Sequence, residues 1–85
     1  MDDYKVFLDF EIFRLIKPIR GIRKQQIIEF LKSLERDPFK EGELNTYRDG
    51  RKIEVKLFGK YSLLYWVDHA VKEVKIVDFY ASHSQ

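Results

Sequence analysis

The chain has 85 residues, a formal net charge of +2 and no cysteine. A chain of this length supports one core at most, so a single domain spanning 1–85 is expected. With 45% hydrophobic and 15% aromatic residues, its composition excludes a disordered or fibrous chain, and the absence of cysteine excludes disulfides and thiolate metal sites.

The longest apolar run, Leu63 to Val67, falls far short of the roughly 20 residues a membrane helix requires, and "MDDYKVF" has neither the basic start nor the apolar region of a signal peptide. The expectation is a soluble cytoplasmic protein with no membrane partner.

The first element is a strand over about 4–9, where Tyr4, Val6, Leu8 and Phe10 alternate with Lys5 and Asp9. Helical "EIFRLIK" follows and is broken by Pro18, which lacks an amide donor, and by Gly21. From Ile22 to Arg36, Ile27, Phe30, Leu31 and Leu34 form the apolar stripe of an amphipathic helix. Asp37-Pro38 stops that helix, and Phe39 is expected to fold back onto the core.

Lys40 to Asn45 reads as a polar loop. Three strands follow, Lys52 to Phe58, Tyr61 to Val67 and Glu73 to Tyr80, separated by turn signals that include Asp49-Gly50 and Gly59-Lys60. In "KIEVKLF", Ile53, Val55 and Leu57 share one face, expected to pack on the helices. Lys52, Glu54 and Lys56 share the other, expected to be wet. The whole reads as an α+β fold: an N-terminal strand, two helices, then an antiparallel meander of three or more strands with the helices on one face.

Net charge alone identifies no partner, so the placement of charge carries that argument. "RLIKPIRGIRKQQ" has five cations and no acid, and "RDGRKIEVKLFGK" carries Arg48, Arg51, Lys52, Lys56 and Lys60 against Asp49 and Glu54. Two histidines without cysteine leave few ligands for a metal site, and no phosphate loop, dinucleotide fingerprint or nucleophile elbow is present; no cofactor is expected. His69, in "VDHAVKE", reads as a surface turn residue.

A basic, aromatic sheet followed by a terminal histidine suits cleavage of RNA through its own 2′-hydroxyl. That reaction needs a base, an acid for the leaving oxygen and cations for the developing phosphorane charge. Histidine serves as acid or base near neutral pH, Lys and Arg hold phosphate, and Tyr65, Trp66 or Tyr80 offers a ring for an unpaired base.

The segments "YKVFLDF", "IIEFLKSLERDPF", "KIEVKLFGKYSLLYWVD" and "EVKIVDFYASHS", taken together, resemble the RelE/ParE superfamily of toxin-antitoxin toxins across nearly the whole chain. The resemblance implies a toxin neutralised by a cognate antitoxin, in a toxin-antitoxin hetero-oligomer, and in the RelE branch a ribosome-dependent mRNA endoribonuclease that inhibits translation. It implies catalytic roles for Lys56, matching a strand lysine used on substrate phosphate, and for His83, matching the histidine of a "GSHS" ending in the YafQ-like branch. Tyr80 stands near enough to fill part of a missing C-terminal aromatic's role. Arg48, Arg51, Lys52 and Lys60 are the candidate RNA-binding cations. Ser62 falls where the RelE branch has an arginine. That departure keeps two alternatives open: a ParE-like toxin acting on DNA gyrase, and a catalytically degenerate antitoxin-binding protein.

Overall fold

The computed structural model describes residues 3 to 82. Its elements in chain order are β1 (Lys5–Leu8), α1 (Phe10–Ile16), α2 (Gly21–Arg36), β2 (Leu44–Arg48), β3 (Arg51–Phe58), β4 (Tyr61–Asp68) and β5 (Glu73–Ala81). The strands form one sheet in the order β1-β5-β4-β3-β2. β2 to β5 are an antiparallel meander, and β1 adds to β5 in parallel. The fold is therefore α+β, as the pattern of elements predicts.

The helices form where local chemistry favours them. Asp9 caps α1 by accepting a hydrogen bond from the Ile12 amide at 3.0 Å, satisfying one of the donors a helix start leaves unpaired. α1 ends at Ile16, two residues before Pro18. Lys24 Nζ then donates to the Lys17 and Ile19 carbonyls at 2.9 and 3.3 Å, so one cation of the first basic stretch ties the α1–α2 connection together. α2 stops at Arg36, before Asp37-Pro38.

One face of the sheet packs on both helices. Ile12 and Ile16 of α1 and Ile27, Leu31 and Leu34 of α2 meet Phe58, Leu63, Tyr65, Val74, Ile76 and Phe79 in the main core. Pro38 is the residue that returns to the interior after α2. Phe39, expected in the core, is instead 71% exposed and stacks on His69 with ring centroids 5.1 Å apart. Tyr4 completes this surface group through a 2.8 Å hydrogen bond to His69 Nδ1.

Two further expectations need correction. The polar loop ends early, because Leu44–Arg48 is a strand whose five residues are all exposed, at the edge of the sheet. The faces of β3 are also reversed. Lys56 pairs with Leu63 and Glu54 with Tyr65, both in the helix-side core, so strand alternation puts Lys52, Glu54, Lys56 and Phe58 on the helix side. Ile53 and Val55 lie on the helix-free face, where they are buried with Leu64 and flanked by Trp66 and Val77.

Among the described residues no helix packs on that second cluster; the sheet covers it by curling. Between Leu64 and Tyr65 of β4, β5 advances from Asp78 to Ile76, leaving Val77 as a bulge, a feature that bends and twists a strand. Arg48 Nη2 of β2 lies 3.4 Å from the Asp78 carboxylate of β5. In a flat sheet those strands would stand roughly 14 Å apart, three strand spacings. The β2–β3 hairpin thus folds over the helix-free face. Its two-residue turn allows this, with Asp49 and Gly50 at φ of 53° and 76°, the left-handed pair whose twist matches that of the flanking strands.

Candidate functional site

Strand alternation separates the sequence-predicted residues into two groups on opposite faces. Lys52 and Lys56 project to the helix side. Arg48 and Arg51 flank the hairpin turn as paired residues on the helix-free face, which the pairing of Tyr80 with Ser62 also assigns to Tyr80. Lys60 lies in the β3–β4 turn, its Nζ 5.5 Å from the Tyr61 ring centroid and its carbonyl accepting from the Ser82 amide at 2.7 Å. His83 lies outside the described residues. One phosphate cannot touch both Lys56 and Tyr80, because the sheet stands between them.

On the helix side, Lys56 faces a groove of about 430 Å³ between α2 and β3, lined by Arg23, Glu29, Phe30, Lys40 and Phe58 among others. Its ammonium is 5.4 Å from the Phe30 centroid and is held by Glu43 at 2.7 Å. The other Glu43 oxygen accepts the Leu57 amide at 2.9 Å. The Lys56 hydrogen bond is the first cause and the Leu57 amide the second that hold the Glu43 carboxyl below its ordinary value of 4.5. Lys56 is therefore already engaged by an internal carboxylate. The sequence reading did not single out Glu43, although its neighbour Gly42 carried a signal. A Cβ on Gly42 would collide with the Val55 backbone, so only glycine lets this segment approach β3 closely enough to place the acid.

The helix-free face is chemically richer. The Arg51 guanidinium carbon sits 3.7 Å from the Trp66 ring centroid, and Lys75 Nζ approaches the same ring at 5.4 Å. Asp68 and Glu73 steady Lys75 at 3.5 and 3.6 Å. Tyr80, 46% exposed, stands along β5 from Asp78, the partner of Arg48. Ser62, in the position that the resemblance would give to arginine, is 6% exposed, so no charged group stands there. Trp66 was among the rings expected to offer a base-stacking surface. Lys75 was not in the predicted cation set, and its alternation with Val74 was the available signal.

Tyr65 cannot stack a base, as it is fully buried and donates to the Lys40 carbonyl at 2.8 Å. Burial, the main cause, and the charges of Glu54 and other acids push its phenol well above the usual tyrosine range. Among the described residues no group of acids and histidines could hold a metal ion, and no helix is long and apolar enough to cross a membrane.

Comparison with known proteins gave neither a matching family model nor a matching curated protein. Solved structures did match. A chain of the archaeal RelE-RelB complex from Pyrococcus horikoshii superposes with a TM-score of 0.77 at 18% identity, covering 94% of this chain and 96% of that one. A chain of the toxin-antitoxin complex RelBE2 from Mycobacterium tuberculosis gives 0.72 at 22% identity, covering 95% and 100%. The helix pair, the curled five-stranded sheet and these end-to-end superpositions together give the chain a RelE-like toxin fold.

Proposed function

We propose that the chain is the toxin of a toxin-antitoxin pair, working in the cytoplasm as a ribosome-dependent mRNA endoribonuclease and held inactive by a cognate antitoxin. The observation that carries the toxin reading is the full-length likeness to two chains solved in toxin-antitoxin complexes. The RNA reading is supported by the helix-free face, where Arg48, Arg51 and Tyr80 share one curled surface with Trp66 and Lys75.

In this reading Arg48 and Arg51 hold phosphate and stabilise the charge that develops as the 2′-hydroxyl attacks. His83, just beyond β5, exchanges protons with the reacting oxygens, and Tyr80 orients the cleaved nucleotide. Lys52 and Lys56, on the opposite face, contribute to the electrostatic field and make no contact with the scissile phosphate. Lys60, in the turn beside the end of β5, supplies charge near the chain terminus.

Induced expression tests the proposal. Translation should stop within minutes, with new 5′ ends inside coding regions of translated messages and unchanged DNA supercoiling. Relaxed DNA with intact messages would instead favour the gyrase-directed alternative, and so does the buried Ser62, which leaves this face without the arginine of the RelE branch. Unimpaired growth would favour a degenerate antitoxin-binding protein.

A further inference from the structure

The Arg51–Trp66 stack has a geometry that neither phosphate binding nor core packing requires. Trp66 sits at the border of the second apolar cluster, partly buried and packed against the group formed by Ile53, Val55 and Leu64. Arg51 lies over that ring at 3.7 Å, close to van der Waals separation, while the arginine itself remains exposed. A guanidinium packed this closely on an aromatic ring is held in position, and Arg51 is an exposed residue, so the guanidinium is available to a ligand. The two-residue turn fixes it further, because Arg51 is the first residue of β3 and pairs with Arg48 across the hairpin. Arg48 is in turn anchored on Asp78.

We infer that the Arg51 guanidinium, backed by Trp66, is a stacking platform for one unpaired nucleobase of a single-stranded RNA, with Arg48 beside it for the adjoining phosphate. This proposal rests on the RNA reading above and gives Arg51 a second role in it, its planar face taking a base while its edge donors serve phosphate. Bases stack on arginine planes as well as on aromatic rings, and an arginine already supported from below loses little freedom when a base arrives. The platform is tolerant of sequence, since every base has a π-face. Trp66 acts through Arg51 and is a positioning residue.

Trp66 is the chain's one tryptophan, so its emission reports on the platform directly. Purified protein would be titrated with hexaadenylate, following Trp66 fluorescence and, in parallel, the anisotropy of a fluorescein-labelled copy. The expected result is a saturable change in Trp66 emission that tracks the anisotropy. Arg51→Lys, which keeps the charge and loses the plane, should weaken binding about tenfold, within the range for one stacked base. Trp66→Leu, read by anisotropy, should weaken it similarly, and the salt dependence of Arg51→Lys should match wild type because no charge is lost. Thermal melts of both variants confirm that they fold.

Full rescue by lysine, or binding by anisotropy without any response of Trp66, would overturn the platform and leave the RNA reading in place. No binding of the probe to wild type by either signal would likewise overturn the platform, while the ribosome-dependent reading stands or falls on the mapped 5′ ends of messages.

Discussion

Tyr65→Phe removes one hydroxyl from the centre of the molecule, and the structure sets the size of its effect. The ring is fully buried, packs edge-on against Phe30 with centroids 5.6 Å apart, and is retained in the variant. What is lost is the 2.8 Å hydrogen bond to the Lys40 carbonyl, which ties the segment after α2 to the sheet. Lys40 is itself exposed, so water can take over its carbonyl, and the cost falls near the ordinary net value of about 1 kcal/mol. For a domain of this size that lowers the melting temperature by about 4–8 °C.

A second signature follows from the raised phenol pKa. Because the folded-state pKa lies above the unfolded value, the phenol's contribution is fully present below the unfolded pKa of about 10 and is lost as pH rises beyond it. Wild type should therefore lose stability above about pH 10, and Tyr65→Phe should lose less. Thermal and urea melts at neutral and alkaline pH measure both effects. An unchanged neutral melting temperature together with an unchanged alkaline slope would refute the reasoning.

Other consequences are equally direct. Gly42→Ala drives a methyl group into the Val55 backbone and should cost roughly 1–3 kcal/mol in a urea melt. Glu43, with its carboxyl pKa depressed, contributes stability above its ordinary 4.5 that is lost as pH falls through the folded value. Carboxyl NMR should show that pKa moving up toward 4.5 in Lys56→Met, stopping short because the Leu57 amide remains. Ser62→Arg places a charged side chain at a 6% exposed position between Leu57 and Tyr80, and its melting temperature should fall below that of wild type.

Much of the fold was legible because its signals are local. The apolar stripe of α2, the breaks at Pro18 and Asp37-Pro38, and the glycine turns each act within a few residues. β2 was missed for the converse reason. "LNTYR" is an exposed edge strand with no alternation to read, although Asp49-Gly50 is a turn that needs a strand on both sides.

The reversed faces of β3 have a different origin. Apolar Ile53 and Val55 look like helix-facing residues in sequence, yet they are buried on the helix-free face of a curled sheet, whose curl is seen in the Val77 bulge and the Arg48–Asp78 contact. Nothing local announces a pairing between residues thirty positions apart. Strand alternation divided the predicted site, sending Lys52 and Lys56 to one side and Arg48, Arg51 and Tyr80 to the other. Residue type marked the cations; alternation along β3 sets Arg51 apart from Lys52 and Lys56, and the bend of the sheet brings Arg48 to Asp78.

Mapping the 5′ ends of messages after induction of three proteins tests the central claim most directly: wild type, the helix-free-face variant Arg51→Ala/Tyr80→Ala, and the helix-side variant Lys52→Ala/Lys56→Ala. The account predicts cleavage by wild type and by the helix-side variant, and its loss in the helix-free-face variant at equal protein levels. Cleavage that survives Arg51→Ala/Tyr80→Ala and disappears in Lys52→Ala/Lys56→Ala would contradict it.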